Sequence, residues 1–333
     1  MKKFNKVQNL KIDKVDKKIL KIIAENPRIS YTDLGKQLGL KKNTAKYRLD
    51  KLLEKAVWKI VPIVNYRKLK LITYDVFLKC NLSKSKKLEF ETMLSKHDNI
   101  LWATELFGKW NYYIEFLCKD VFEFDSIMTQ MNQFLGTAFQ EYDMLLMTER
   151  LYLRQLLPEL TKDVNFEYQF KWNQPNYDPI ELDKLDKKIL LLLCKNGRMP
   201  HYEIAVKTKV TLPTITNRIN KMVENTVITK FSPIMMHVNF GYSRNFIHIK
   251  THNFTQAEKV KLKKWFSQET QTKHVLRASN SNDLLIYACF RSQTDLENYI
   301  IAIRNQFHNI IRDVNILKLT NEFKLDFFPK GLL

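Results

Sequence analysis

Nine residues near the start of the chain, Ile12-Asp13-Lys14-Val15-Asp16-Lys17-Lys18-Ile19-Leu20, return as Leu182-Asp183-Lys184-Leu185-Asp186-Lys187-Lys188-Ile189-Leu190. Seven of the nine positions are identical and the other two exchange one branched aliphatic for another. The register then holds at an offset of 170, pairing Asn26 with Asn196, Arg28 with Arg198, Thr44 with Thr214, Arg48 with Arg218 and Lys51 with Lys221. Such self-similarity restricts the chain to architectures built from two like halves.

At 333 residues and 45% apolar composition, the chain is long enough for two or more domains with buried cores. No run reaches the roughly 18 to 20 apolar residues of a membrane span, and no apolar signal core follows Met1-Lys2-Lys3-Phe4, so a cytoplasmic location and no membrane partner are expected. Cys80, Cys118, Cys194 and Cys289 lack paired spacing, which argues for reduced, buried thiols and against a zinc site. No motif asks for a cofactor or metal. The net charge of +20 suggests a polyanionic partner, and its distribution is uneven. Residues 1 to 60 hold 17 Lys and Arg against 6 Asp and Glu, whereas residues 61 to 170 hold 13 against 15.

That charge coincides with a three-helix pattern. Asp13 reads as an N-cap, Asp16 adds a carboxylate in the first turn, and Val15, Ile19, Leu20, Ile22 and Ile23 form a buried stripe ending at Asn26-Pro27. A second helix spans 31–38 with Gly39 as its stop. A third, 42–55, carries Ala45, Leu49 and Leu52 on one face. This is a helix-turn-helix pattern. Its third helix presents Lys42, Asn43, Lys46, Tyr47 and Asp50 away from the stripe, with Lys51 further on, groups able to meet phosphates and base edges in a major groove. The second copy, capped by Thr211, offers Thr214, Thr216, Asn217 and Asn220, with Lys221. Arg28 and Arg198 in the first interhelix turns, and Arg48 and Arg218 beside the stripe, suit either phosphate contact or a structural role over a carboxylate or turn. Short β-prone runs at 58–62 and 228–233 suit wings.

The run from Ile12 to Pro62 resembles the DNA-binding head of the Lrp/AsnC family of regulators, whose heads open on a hydrophobic-Asp-x-x-Asp-x-x-Ile-Leu pattern and close on a wing. The pattern is met twice, by Ile12, Asp13, Asp16, Ile19 and Leu20 and by Leu182, Asp183, Asp186, Ile189 and Leu190. Lys41 departs from the Ser cap usual before the family's recognition helix. Beyond each wing the pattern reads strand-helix-strand-strand-helix-strand, with elements near 74–78, 86–96, 100–106, 112–117, 122–135 and 144–153, and again near 246–250, 257–268, 274–278, 284–290, 296–307 and 314–325. This resembles the same family's sensing and oligomerising domain, in which paired sheets stack face to face. The family's Gly-x-x-Asp turn falls on Gly108 to Asn111 and on Asn280 to Asp283, so Gly108, Asn111, Asn280 and Asp283 are the tentative effector-binding residues that the resemblance implies.

The expected fold is α+β: two winged helix-turn-helix domains (1–62, 181–234), two ferredoxin-like βαββαβ domains (63–160, 235–333) and a linker (161–180). The expected function is sequence-specific binding of double-stranded DNA by a covalent pseudo-dimer, with no catalytic residue. The resemblance adds an amino-acid-like small-molecule effector and self-association through the βαββαβ domains. A rival reading is an enzyme similar to siroheme decarboxylases, suggested by His274 and Arg277; a third is a sensor or assembly module without DNA binding.

Overall fold

The computed structural model describes residues 10–160, 178–278, 283–329 and 331. In the first half, α1 (Lys14–Glu25), α2 (Tyr31–Leu38) and α3 (Lys42–Lys55) form a head, followed by β1 (Val57–Val64). The body then comprises β2 (Ile72–Cys80), α4 (Lys84–Lys96), β3 (Ile100–Phe107), β4 (Tyr112–Cys118), α5 (Val121–Leu135), β5 (Phe139–Leu145) and β6 (Met147–Leu153). The second half repeats this with α6 (Lys184–Lys195), α7 (His201–Thr208), α8 (Leu212–Glu224), β7 (Ile228–Met235), β8 (Ser243–Thr251), α9 (Gln256–Gln268), β9 (Thr272–Ala278), β10 (Leu284–Phe290), α10 (Gln293–Phe307) and β11 (Ile311–Leu325).

Each head begins as the capping chemistry predicts. Asp13 accepts from Asp16 N while Asp16 reaches back to the Asp13 N–H, and Asp183 with Asp186 repeats this reciprocal box. Gly39 ends α2 at φ 66°, the left-handed conformation that costs glycine least.

The wing strands form where expected, but neither folds back on its own head. β1 pairs antiparallel with β7 of the other copy, Val61 opposite Ser232 and Pro62 opposite Phe231. The two make a two-stranded sheet. Pro62 and Pro233 are tolerated there because each strand has an outer edge at which a missing N–H breaks no ladder bond. The crossing is backed by Met236 N donating to Ala56 O at 2.9 Å and Asn65 N to Val227 O at 2.9 Å.

Exchange continues into the cores. The first head packs Ile19, Leu49 and Leu52 in one cluster with Leu156, Leu157, Met235, Phe240 and Tyr242, mostly elements of the second copy. The second head packs Ile189, Ile215 and Ile219 with Val64, Leu71, Leu101 and Leu117 of the first body. Each head therefore rests on the other half's framework.

The bodies are two ferredoxin-like sheets, β5-β2-β4-β3 and β11-β8-β10-β9, joined edge to edge and extended by β6 beside β9 to nine strands. The sequence pattern placed one closing strand at 144–153; the structure divides this region between β5, which serves its own sheet, and β6, which pairs with β9 of the other. β11 does the same without a break, lying on β8 through Lys318 and on β3 from there to Leu325. The inner faces meet in a shared core of Phe77, Trp110, Tyr113, Phe246, Leu285 and Leu317, while α4 and α5 cover one outer face and α9 and α10 the other. Phe77 lies parallel to His248 with ring centroids 5.8 Å apart, the same position in the two copies meeting across the core. All four cysteines are free and buried. Among the described residues no helix is long and apolar enough to cross a membrane.

The linker residues 161–177 and Asn280 lie outside the described residues. A protease site engineered between Leu160 and Asp178 tests the exchange. After complete cleavage the two fragments are expected to co-elute on gel filtration under native conditions and to separate only in denaturant, since each head remains packed on the other fragment. Elution as two independent species would contradict the exchanged architecture.

Candidate nucleic-acid interface

The third helix of each head fixes what that head can present. Ala45, Leu49 and Leu52 of α3, and Ile215, Ile219 and Met222 of α8, are buried in clusters that join each head's first two helices to residues of the other half. The opposite faces are open. Lys42, Asn43, Lys46 and Lys51 are exposed and Tyr47 is 68% exposed, a large value for an aromatic side chain. On α8, Asn217 and Lys221 are exposed together with Asn220.

Local chemistry differs between the two helices. α8 starts with Thr211 accepting from Thr214 N at 3.5 Å, and the two hydroxyls meet at 2.9 Å. Lys41 gives α3 no side-chain cap, and the first turn of α3 carries no acidic residue. Its N-terminal N–H groups and lysines thus form a purely positive end. Lys46 is held by Asp50 at 2.6 Å, and Tyr31 Oη donates to the same carboxylate at 2.9 Å. The carboxylate raises the Lys46 pKa, so the ammonium stays charged and must exchange Asp50 for phosphate if DNA approaches. Thr216 is engaged by His201 Nδ1 at 3.1 Å, which turns that hydroxyl inward.

The four arginines resolve toward structure. Arg48 Nη1 donates to Asp13 at 2.7 Å and to Asp16 at 2.9 Å, pinning α3 to the capping box of α1. Arg218 does the same with Asp183 and, at 3.1 Å, Asp186. Arg28 and Arg198 donate to backbone carbonyls of the opposite head. The Arg28 and Arg198 guanidiniums are thus engaged at the junction between the heads, whereas those of Arg48 and Arg218, 30% and 33% exposed, brace the capping boxes at the surface. The sequence left this choice open because a carboxylate 32 or 35 residues away gives no periodic signal.

The tentative effector turn is likewise occupied by the fold. Asn111 Oδ1 accepts from Cys80 N at 2.8 Å and its backbone bonds both Leu106 and Leu78. Gly108 has φ 141°, and a Cβ there would lie 2.9 Å from Ile316 O of the other body. Asp283 is buried and accepts from His248 Nε2 at 3.0 Å. The described side chains of both turns thus serve as braces for neighbouring strands.

Sequence reasoning also missed a buried ionisable layer beneath the heads. Asp75 accepts from Tyr113 Oη, and burial pushes the Asp75 and Glu115 carboxyls well above the usual carboxylate range. Lys273 donates to Gln155 O, and burial lowers its pKa to about 7. Lys230 is also lowered to about 7, by burial and by the nearby Arg150 and Lys273. Strand patterning cannot find such groups, because an inward lysine and an outward one occupy equivalent alternating positions.

Residues 12–55 and 182–229 match the family model described as winged helix-turn-helix DNA-binding. An uncharacterised HTH-type transcriptional regulator of Pyrococcus furiosus is 30% identical over 126 residues, 37% of this chain and 82% of that protein. The chain belongs to the family of HTH-type transcriptional regulators, with the winged helix-turn-helix domain present twice. Another relative, the HTH-type transcriptional regulator FL11 of Pyrococcus abyssi, is 39% identical over 80 residues, 24% of this chain and 53% of that one. The siroheme decarboxylase NirDL shares the fold of the entire chain, with a TM-score of 0.65 and 16% identity over 94% of this chain and 93% of that one.

The brace between α3 and α1 makes a stability prediction. Asp13→Ala is expected to cost about 1 kcal/mol, the usual value of a lost N-cap. Arg48→Ala should destabilise the wild-type chain but add little once Asp13 and Asp16 are both alanine, a coupling that denaturant titration of the four variants measures. The Asp16 N–H and Arg48 hold the Asp13 pKa below its ordinary value. Its contribution is therefore full above the unfolded carboxylate pKa and fades as pH falls through the depressed one, so the cost of Asp13→Ala tied to its charge should shrink in acid.

Proposed function

We propose that this chain is a cytoplasmic, sequence-specific double-stranded DNA-binding transcriptional regulator that works as a covalent pseudo-dimer. The observation that carries the reading is the pair of third helices whose apolar sides are buried within the fold while Lys42, Asn43, Lys46, Tyr47 and Lys51 on one, and Asn217, Asn220 and Lys221 on the other, remain open to solvent. A helix in that state can enter a major groove without unpacking anything.

The two heads divide the work. Lysines on α3 displace counterions from phosphates whatever the sequence, whereas the amides of α8 are suited to base edges. Unequal heads call for an imperfectly symmetric target, with half-sites about one helical turn, roughly 10 bp, apart. Self-association through the bodies and an amino-acid-like effector remain part of the proposed family behaviour; the described residues of the Gly108 and Asp283 turns enter it as structural braces rather than ligand contacts.

A decarboxylase reading rests on the shared fold with NirDL and on His274 and Arg277. Arg277 Nε lies 3.5 Å from Glu149, which also holds Lys259 at 2.5 Å and Lys263 at 3.0 Å. His274 sits instead near Arg150 and Lys273, whose charges reinforce burial in keeping its imidazole neutral. The pair therefore does not share one set of partners, and the regulator reading stands ahead. Incubation with siroheme should leave the substrate unchanged by mass spectrometry.

Salt titration of duplex binding tests the division of labour. Lys42→Ala, Lys46→Ala and Lys51→Ala together are expected to reduce the slope of log affinity against log salt by about 3, close to 0.9 per lost phosphate contact. Asn217→Ala with Asn220→Ala should change sequence preference while moving that slope by less than about 1. Salt-independent binding by the wild-type chain, or equal slope losses in the two variants, would contradict the proposal.

A further inference from the structure

The first interhelix turns of the two heads face one another, and each grips the other. Arg28 donates to Gly197 O at 2.5 Å and Met199 O at 3.1 Å, the carbonyls on either side of Arg198. Arg198 returns the contact to Pro27 O at 2.6 Å and Ile29 O at 2.8 Å, the carbonyls on either side of Arg28. Four charge-assisted bonds thus close a two-fold clasp in which each planar guanidinium fork spans two acceptors. The guanidiniums also lie over aromatic rings, Arg28 4.9 Å from the Phe231 centroid and Arg198 5.3 Å from that of Tyr31. Next to the clasp the backbones touch. Gly197 N donates to Ile60 O at 2.7 Å, and a Cβ on Gly197 would stand 2.6 Å from that oxygen.

The clasp leads directly to the exposed helices. Tyr31, under Arg198, bonds Asp50 of α3, which in turn holds Lys46. In the second head His201, the counterpart of Tyr31, bonds Thr216 of α8. From these contacts we infer that Arg28 and Arg198 are positioning residues that lock the two heads at one separation and twist, and so make the chain selective for the spacing between half-sites. This rests on the DNA-binding reading for its consequence, but not for its geometry. A flexible pair of heads would tolerate many spacings; a clasped pair tolerates few, because shifting one half-site by about 5 bp turns it to the far side of the duplex.

Two measurements separate the clasp from the DNA-binding reading. Spin labels at Lys36→Cys and Val206→Cys, exposed and equivalent in the two heads, report the distance between heads of the full chain without DNA. One narrow distance is expected, widening by about two-fold or more in the Arg28→Met, Arg198→Met double variant as alternative arrangements become populated. If that variant loses its cooperative thermal transition, Arg28→Lys with Arg198→Lys keeps the charges but not the forks and should widen the distribution likewise. An unchanged distribution in a folded variant overturns the clasp. Duplexes selected from a randomised pool by the wild-type chain then test the consequence. Inserting about 5 bp between half-sites should cost the wild type at least about 10-fold in affinity and the methionine variant only about 2-fold. Equal losses overturn the inferred selectivity. Failure to select any motif would overturn both the DNA-binding reading and the selectivity drawn from it, leaving the distance result to decide the clasp.

Discussion

A strand left with bare N–H and C=O groups must find a partner or water, and β1 finds β7 in the other half of the same chain. The rest of the architecture follows from that pairing. Once the strands cross, each head is carried over to the other half, and apolar groups it needs come from there: Met235, Phe240 and Tyr242 for the first head, Leu71, Leu101 and Leu117 for the second. β6 and β11 repeat the exchange at the far side of the bodies. No half, taken alone, contains its own complete core.

Duplication within one polypeptide frees the two halves from being equal. In a dimer of identical chains a residue near the two-fold axis meets its own copy, so a change there is felt twice. Here Phe77 can lie against His248, which in turn is held by Asp283, while the corresponding Asn111 braces Cys80. Arg150 on β6 and Glu322 on β11 occupy corresponding places in the two copies, each with its own surroundings. Glu322 pairs with Arg244 at 2.7 Å in a fully buried site. The same freedom reaches the heads, where Lys42 and Lys46 on α3 correspond to Leu212 and Thr216 on α8 while Lys51 is kept as Lys221.

The two junction arginines show why function could not be read from residue type alone. Arginine in a turn beside a helix-turn-helix is the chemistry expected of a phosphate contact, and Arg28 and Arg198 have it. Their forks are instead satisfied by four carbonyls of the opposite head, and burial together with the facing Arg198 lowers the Arg28 pKa. A guanidinium already holding two oxygens has little to offer DNA. What it supplies is the relative placement of two surfaces that do have something to offer.

Local periodicity and capping chemistry were sufficient for the elements themselves. Asp13 and Asp16, the Ala45, Leu49 and Leu52 stripe, Gly39 and the repeat at offset 170 define two heads, and the alternating runs after them define two bodies, because such signals act within a few residues of one another. The exposed face of α3 was legible for the same reason: once the stripe is inward, Lys42, Lys46 and Tyr47 must be outward. Partner choice was not legible. That β1 pairs with β7, that the region 144–153 divides between two sheets, that Arg48 meets Asp13 and Arg28 meets Gly197, and that Asn111 is consumed by Cys80 all join residues far apart in the chain. A single strand or guanidinium carries the same donors whichever partner takes them, so only the packed structure could decide.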